Sequence, residues 1–301
     1  MKLDLPDVYL VRPDVRQGLS NGQPVIALES AVITHGLPRP ANLELALSME
    51  AIVRGQGAIP ATIAFIDGKI VIGASESELQ RLAGENHPIK INPRNIGIAL
   101  NSGACGGTTV AATLMAARAA GIKVFATGGI GGVHRGNIFD ISADLPALSS
   151  NPLVVVCAGA KAILDIPSTL EALESAGVPV YGWQTDEFPS FYSRESGVKV
   201  ARVDSLSELA NAFSTQRSLP LISSGMLVAN PIDRDHEIPR TEIEPFIEQA
   251  IQDSKGISGK EITPFLLGRL AEITGNRSVT ANLALLKNNV SLAAQIAGEL
   301  T

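Results

Sequence analysis

A chain of 301 residues that is 45% hydrophobic and 18% charged can bury a sizeable core, which excludes a disordered polymer and, on length alone, suggests about two domains. Its formal charge of −6, from 24 basic and 30 acidic residues, and its 12 aromatics (Phe 8, Tyr 3, Trp 1) exclude the basic surface and stacking platforms of a general nucleic-acid binder. A small anion remains possible, because net charge is not local charge.

The opening stretch, MKLDLPDVYLVRPDVRQGLSNG, is broken by Asp4, Asp7, Arg12, Asp14 and Arg16 and does not read as a secretory signal. Val25 to Leu28 reads as a buried strand, and 41–54 as a helix. Pro60 to Gly73 reads as a hairpin about the Asp67-Gly68 turn; Ser75 then caps a short helix, with Glu78 completing a capping box. Further strands are predicted at 123–126, 153–158, 178–182 and 221–228, and helices at 108–120, 168–176, 205–216, 241–254, 263–274 and 278–299. Arg118, Lys123 and Lys161 break the most apolar runs, so none reaches the ~20 residues of a membrane helix. Two cysteines, Cys105 and Cys157, are too few for a disulfide framework. The expectation is a soluble cytoplasmic protein of mixed α/β rhythm with no repeat or linker, and so one domain over 1–301 despite its length.

Four stretches close apolar runs with polar residues, where open α/β sheets bind ligands. In VIALESAVITHGLPRP, Glu29 ends a buried run, so burial favours its acid form; a structural ion pair with Arg or Lys is the competing reading, while His35 and Arg39 stand nearby. In GACGGTTVAAT, glycines lead into a helix amino terminus, either an anion site or ordinary capping. In TGGIGGVHRGNIFDISAD the dinucleotide fingerprint fails, because His134 occupies the third glycine position. What remains is a loop with His134 and Arg135 able to hold a phosphate, then Asp140 and Asp144, which suit a hard divalent cation or polar substrate hydroxyls, or else begin a helix. In LVVVCAGAKAILDI, Lys161 follows a buried strand, where desolvation favours a neutral nucleophilic amine; pairing with Asp165 is the alternative.

Taken together, ALESAVITHGLPRPAN, GAIPATIAFIDG, FATGGIGGVHRG, FDISADL, VVCAGAKAILDIPSTLE, LVANPI, GKEITPFLL and NNVSLAAQIA resemble, in order and over nearly the whole chain, the pseudouridine-5'-phosphate glycosidase family, which is related to an indigoidine-synthesis factor. The fold expected with that resemblance is a three-layer α-β-α architecture with a central mixed β-sheet. The resemblance implies Glu29 as proton donor, Lys161 as covalent nucleophile, and Asp140 as ligand of one divalent metal ion per subunit, Mn2+. It further implies substrate contacts from Lys90, Val110, Ser142, Ala143 and Asp144, with His134 and Asn289 near the phosphate. Asn92-Pro93-Arg94-Asn95 departs from the Ser-Arg-Arg-Asp run common in the family after the Lys90 position. The implied activity is reversible cleavage of pseudouridine 5'-phosphate to ribose 5-phosphate and uracil by a homotrimer with no nucleic-acid or membrane partner. Chemistry agrees: a carbon–carbon glycosidic bond yields no good leaving group by protonation of a ring nitrogen, and a strand-end amine offers an iminium route that two carboxylates alone do not. A Schiff-base aldolase or lyase on another sugar phosphate, and a non-catalytic sugar-phosphate sensor, are the other readings.

Overall fold

A computed structural model describes residues 5–220, 222–257 and 262–301. In chain order the strands are β1 (Tyr9–Val11), β2 (Val25–Leu28), β3 (Ile59–Ile66), β4 (Lys69–Ile72), β5 (Ile89–Ile91), β6 (Gly106–Thr108), β7 (Val124–Ala126), β8 (Val133–His134), β9 (Asn137–Ile141), β10 (Val154–Cys157), β11 (Leu164–Asp165), β12 (Val180–Trp183), β13 (Ala201–Val203) and β14 (Met226–Ala229). Eleven of them form one sheet along the path β1-β4-β3-β2-β7-β10-β14-β12-β13, with β6 on β3 and β5 on β6. The centre, β2 to β14, is parallel and buried on both faces, as its Val, Ile, Leu and Ala runs require. β3 is antiparallel to β4 and β6, which makes the sheet mixed. β8, β9 and β11 form a separate antiparallel ribbon.

The helices are α1 (Pro13–Ser20), α2 (Ala41–Gly55), α3 (Glu76–Gly84), α4 (Ile96–Asn101), α5 (Val110–Ala120), α6 (Asp144–Ser150), α7 (Ile166–Ser175), α8 (Leu206–Ser218), α9 (Arg240–Asp253), α10 (Ile262–Ile273) and α11 (Arg277–Glu299). The 23-residue α11 crosses β2, β7 and β10 between α2 and α8, while α5 packs on β2, β3 and β4 with α6 beside it, so helices cover both faces of the sheet. Among the described residues no helix is long and apolar enough to cross a membrane.

The strongest local signals hold. Asp67 and Gly68 both adopt positive φ (51° and 71°), the conformation a two-residue hairpin turn needs, and Ser75 and Glu78 cap α3 reciprocally. Thr109 caps α5, which therefore starts two residues later than expected, with Thr108 closing β6. The strand expected over 221–228 is shortened to Met226–Ala229; position 221 lies outside the described residues, as do Gly259 to Glu261 of GKEITPFLL and the first four residues. Cys157 is fully buried and its thiol is pushed up to about 12 by that burial, so it packs as a small hydrophobe.

Candidate active site

The parallel register aligns Leu28 of β2 with Ala126 of β7, so the next residue on each strand, Glu29 and Thr127, leave the sheet side by side. The Thr127 hydroxyl donates to Glu29 Oε1. Among the described residues no ion pair of Glu29 with an Arg or Lys is found. Burial pushes its carboxyl above the ordinary range, outweighing the charges of Lys161 and Lys90 and the Thr127 hydrogen bond, and the Asp144 charge adds to the rise.

β7 and β10 continue past their ends as paired backbone. Ala158 N–H donates to Gly128 O at 2.8 Å, Ile130 N–H to Gly159 O at 3.1 Å, and Lys161 N–H to Ile130 O at 3.0 Å. Gly159 is obligatory here: its φ is +89°, and a Cβ would stand 2.0 Å from the Pro189 carbonyl. The Lys161 carbonyl accepts from Leu164 N–H at 2.9 Å, closing a turn that presents the lysine side chain. Asp165 is occupied in capping α7 through Ser168 N–H at 3.0 Å, and Lys161 makes no ion pair among the described residues.

Of the two readings of GACGGTTVAAT, ordinary capping is the one seen, through Thr109 at the start of α5. Gly106 and Gly107 lie within β6, where a Cβ would meet the carbonyls of Ile89 and Ser30 at 2.2 and 2.5 Å; they permit close strand packing. At the amino terminus of α5 the anion is the protein's own Asp144: Oδ1 accepts from Ala111 N–H at 3.0 Å and Oδ2 from Gly131 N–H at 2.8 Å. That carboxylate ties the loop after β7 to α5 while still facing the pocket. Asp140 does not join it, standing exposed on β9.

One pocket at the carboxyl ends of β2, β7 and β10 is lined by Glu29, Lys161, Lys90, Val110, His134, Ser142 and Asp144. Of the residues expected in a site, Ala143, Asp140 and Asn289 are outside that lining. Asn289 is fully buried, its amide donating to the carbonyls of Thr127 (2.8 Å) and Gly128 (3.3 Å) and accepting from Asn230, so it fixes the strand end that carries Thr127. Two turns earlier on α11, Asn282 lines the pocket instead, 7% exposed. Arg39 is consumed by the carbonyls of Ala83 and Glu85, whereas His35 does line the pocket. Sequence reasoning missed Thr127 and Asn282; a polar residue recurring at seven-residue spacing in the apolar stripe of α11 is the signal that points to Asn282 and Asn289.

Residues 14–299 match the sequence profile of the family described as indigoidine synthase A like protein. The chain belongs to the indigoidine synthase A-like family. A relative from Sorangium cellulosum named pseudouridine-5'-phosphate glycosidase is 50% identical, covering 98% of this chain and 94% of the relative; one of the same name from Staphylococcus aureus is 48% identical over 94% of each. Among solved structures, an indigoidine synthase A-like protein of Thermotoga maritima superposes with a TM-score of 0.90 at 39% identity, covering 97% of this chain and 96% of that one. A prealnumycin C-glycosynthase solved with ribulose 5-phosphate gives 0.90 at 38% identity over 98% of each chain. This indigoidine synthase A-like chain therefore shares its mixed three-layer fold with proteins of that family.

Proposed function

We propose that this protein cleaves and forms the carbon–carbon glycosidic bond of pseudouridine 5'-phosphate, exchanging it with ribose 5-phosphate and uracil. The observation that carries the reading is an amine, Lys161, and a carboxyl biased toward its acid form, Glu29, lining one pocket, with Lys90 and His134 among its other lining residues for an anionic phosphate. The names of the relatives and the sugar phosphate of the C-glycosynthase neighbour support the substrate class.

In the cleavage direction, Lys161 Nζ bonds C1' as the C1'–O4' bond opens and O4' takes a proton. Glu29 delivers a proton to uracil C5; the nitrogen lone pair then forms an iminium at C1' as the C1'–C5 electron pair passes to the pyrimidine. Uracil leaves, and water adding at C1' frees the amine and ribose 5-phosphate. Thr127 holds the Glu29 carboxyl in place through Oε1, and Asn282 offers a donor and an acceptor to the base or sugar.

For the metal, no group of three or more His, Cys, Asp or Glu that could hold an ion is assembled among the described residues. The exposed Asp140 carboxylate fits a hydrated divalent ion that draws its other ligands from water and substrate, the usual mode of Mg2+ and of similar hard ions. Held by Asp140, such an ion would supply charge neutralisation to a substrate's phosphate or hydroxyls. The decisive test is incubation with pseudouridine 5'-phosphate: uracil release that chelation suppresses and Mn2+ restores is expected. Binding without uracil release would leave the sensor reading; release of a fragment other than uracil would leave the aldolase reading.

We further propose a homotrimer. β9 exposes Ile138 (64%), Phe139 (88%) and Ile141 (49%), apolar surface that a monomer would leave in water. Light scattering is expected to give a three-chain particle that Phe139→Asp dissociates, and a monodisperse single chain would remove the proposal.

A further inference from the structure

Arg135 directly follows the pocket-lining His134, yet its guanidinium turns away from the pocket. Its Nε donates to the Leu164 carbonyl at 3.2 Å and one Nη to the Ala162 carbonyl at 2.9 Å; Glu244, on the first turns of α9, accepts from both Nη atoms. Ala162 and Leu164 are the first and third residues after Lys161, and the turn they form is closed by the Leu164 N–H to Lys161 carbonyl bond. β8 and β11 pair His134 with Leu164 on the same ribbon. One planar fork, carried by the residue that follows β8, thus binds the back of the lysine turn, the first residue of β11 and a helix of the outer layer.

We propose that Arg135, oriented by Glu244, is a positioning residue that fixes the Lys161 turn and thereby the placement of the reacting amine. The proposal rests on the reading that Lys161 is that amine. The pair is partly exposed, at 29% and 28% for the two side chains, so it contributes little to global stability. Its value lies in geometry: a guanidinium presents several donors in a rigid plane and can serve two carbonyls and a carboxylate together, which a lysine ammonium cannot do in the same directions. Reaction rate is far more sensitive than binding to small displacements of a nucleophile, because attack requires a narrow approach distance and angle. His134, one residue away on β8, is held by its strand pairing, so substrate binding survives when the fork is lost.

The test compares the wild-type chain with Arg135→Gln, Arg135→Lys and Glu244→Gln, using pseudouridine 5'-phosphate turnover and borohydride trapping with ribose 5-phosphate. Arg135→Gln is expected to lower kcat about tenfold or more with KM within about twofold, and to slow trapping by the same factor while the trapped end point per chain is unchanged. Arg135→Lys should recover only part of the loss, and Glu244→Gln should show the same split in milder form. If kcat and trapping rate stay within twofold of wild type, or if the end point falls in proportion to activity at an unchanged rate, Arg135 is merely structural and the proposal fails. Should Arg135→Gln be insoluble, Glu244→Gln decides by the same criteria. A wild-type chain that releases uracil without a trapped adduct on Lys161 overturns the underlying reading, an outcome visible before any variant is made.

Discussion

Lys161→Ala is expected to lower uracil release from pseudouridine 5'-phosphate by at least about 10⁴-fold and to eliminate borohydride-trapped adduct, because it removes the atom that would bond C1' and not an auxiliary contact. The fold should survive the change. The backbone of Lys161 supplies the structural bonds, its N–H to Ile130 O and its carbonyl to Leu164 N–H, and the side chain enters the pocket with no ion pair among the described residues. Melting temperatures of variant and wild type should therefore agree closely. Lys161→Arg separates charge from nucleophilicity: it keeps a cation facing the pocket but cannot form the imine, and it should be as inactive as Lys161→Ala. Substantial turnover in Lys161→Arg would reassign Lys161 to electrostatic stabilisation and return the chemistry to an oxocarbenium route served by carboxylates.

The site was legible where chemistry coincides with a strand end. Glu29 and Lys161 each follow a continuous apolar run, and parallel pairing of β2, β7 and β10 is enough to bring such residues to one crevice. The turn at Asp67-Gly68 and the cap at Ser75 were legible because a short pattern determines each of them locally. Gly106 and Gly107 show why the anion and capping readings of GACGGTTVAAT stay open in the sequence: both glycines are required by backbones approaching across strands, a condition set by residues far away in sequence and indistinguishable in composition from an anion loop. β8, β9 and β11 were missed because strands of two to five residues carry too little alternation to stand out. Arg135 looked like a phosphate ligand beside His134, and only the position of Glu244 on α9 shows where its guanidinium is held. Asn289 and Asn282 share a helix face, and the chain alone does not reveal which of the two amides meets backbone carbonyls and which meets the pocket.

Glu29→Gln should separate the two chemical steps and expose a cost of the site to the fold. The amide keeps the shape of the side chain and an oxygen to accept from Thr127, but it cannot deliver a proton to uracil C5, so kcat is expected to fall by about 10²–10⁴. Imine formation between ribose 5-phosphate and Lys161 does not need that proton, so borohydride trapping should persist. Stability should move the other way. Burial raises the Glu29 carboxyl above its unfolded value near 4.3, so the wild type has its full stability below that value and loses part of it as pH rises through the folded one, where the carboxylate must ionise in a desolvated site. Gln does not titrate. The melting-temperature gap in favour of Glu29→Gln should therefore widen as the pH is raised above the range in which the unfolded carboxyl titrates. Wild-type turnover should decline as the pH rises further and the acid form is lost. Parallel melting curves above that range would mean that Glu29 ionises as an ordinary carboxylate, and the proton delivered to C5 would then have to come from another group facing the pocket.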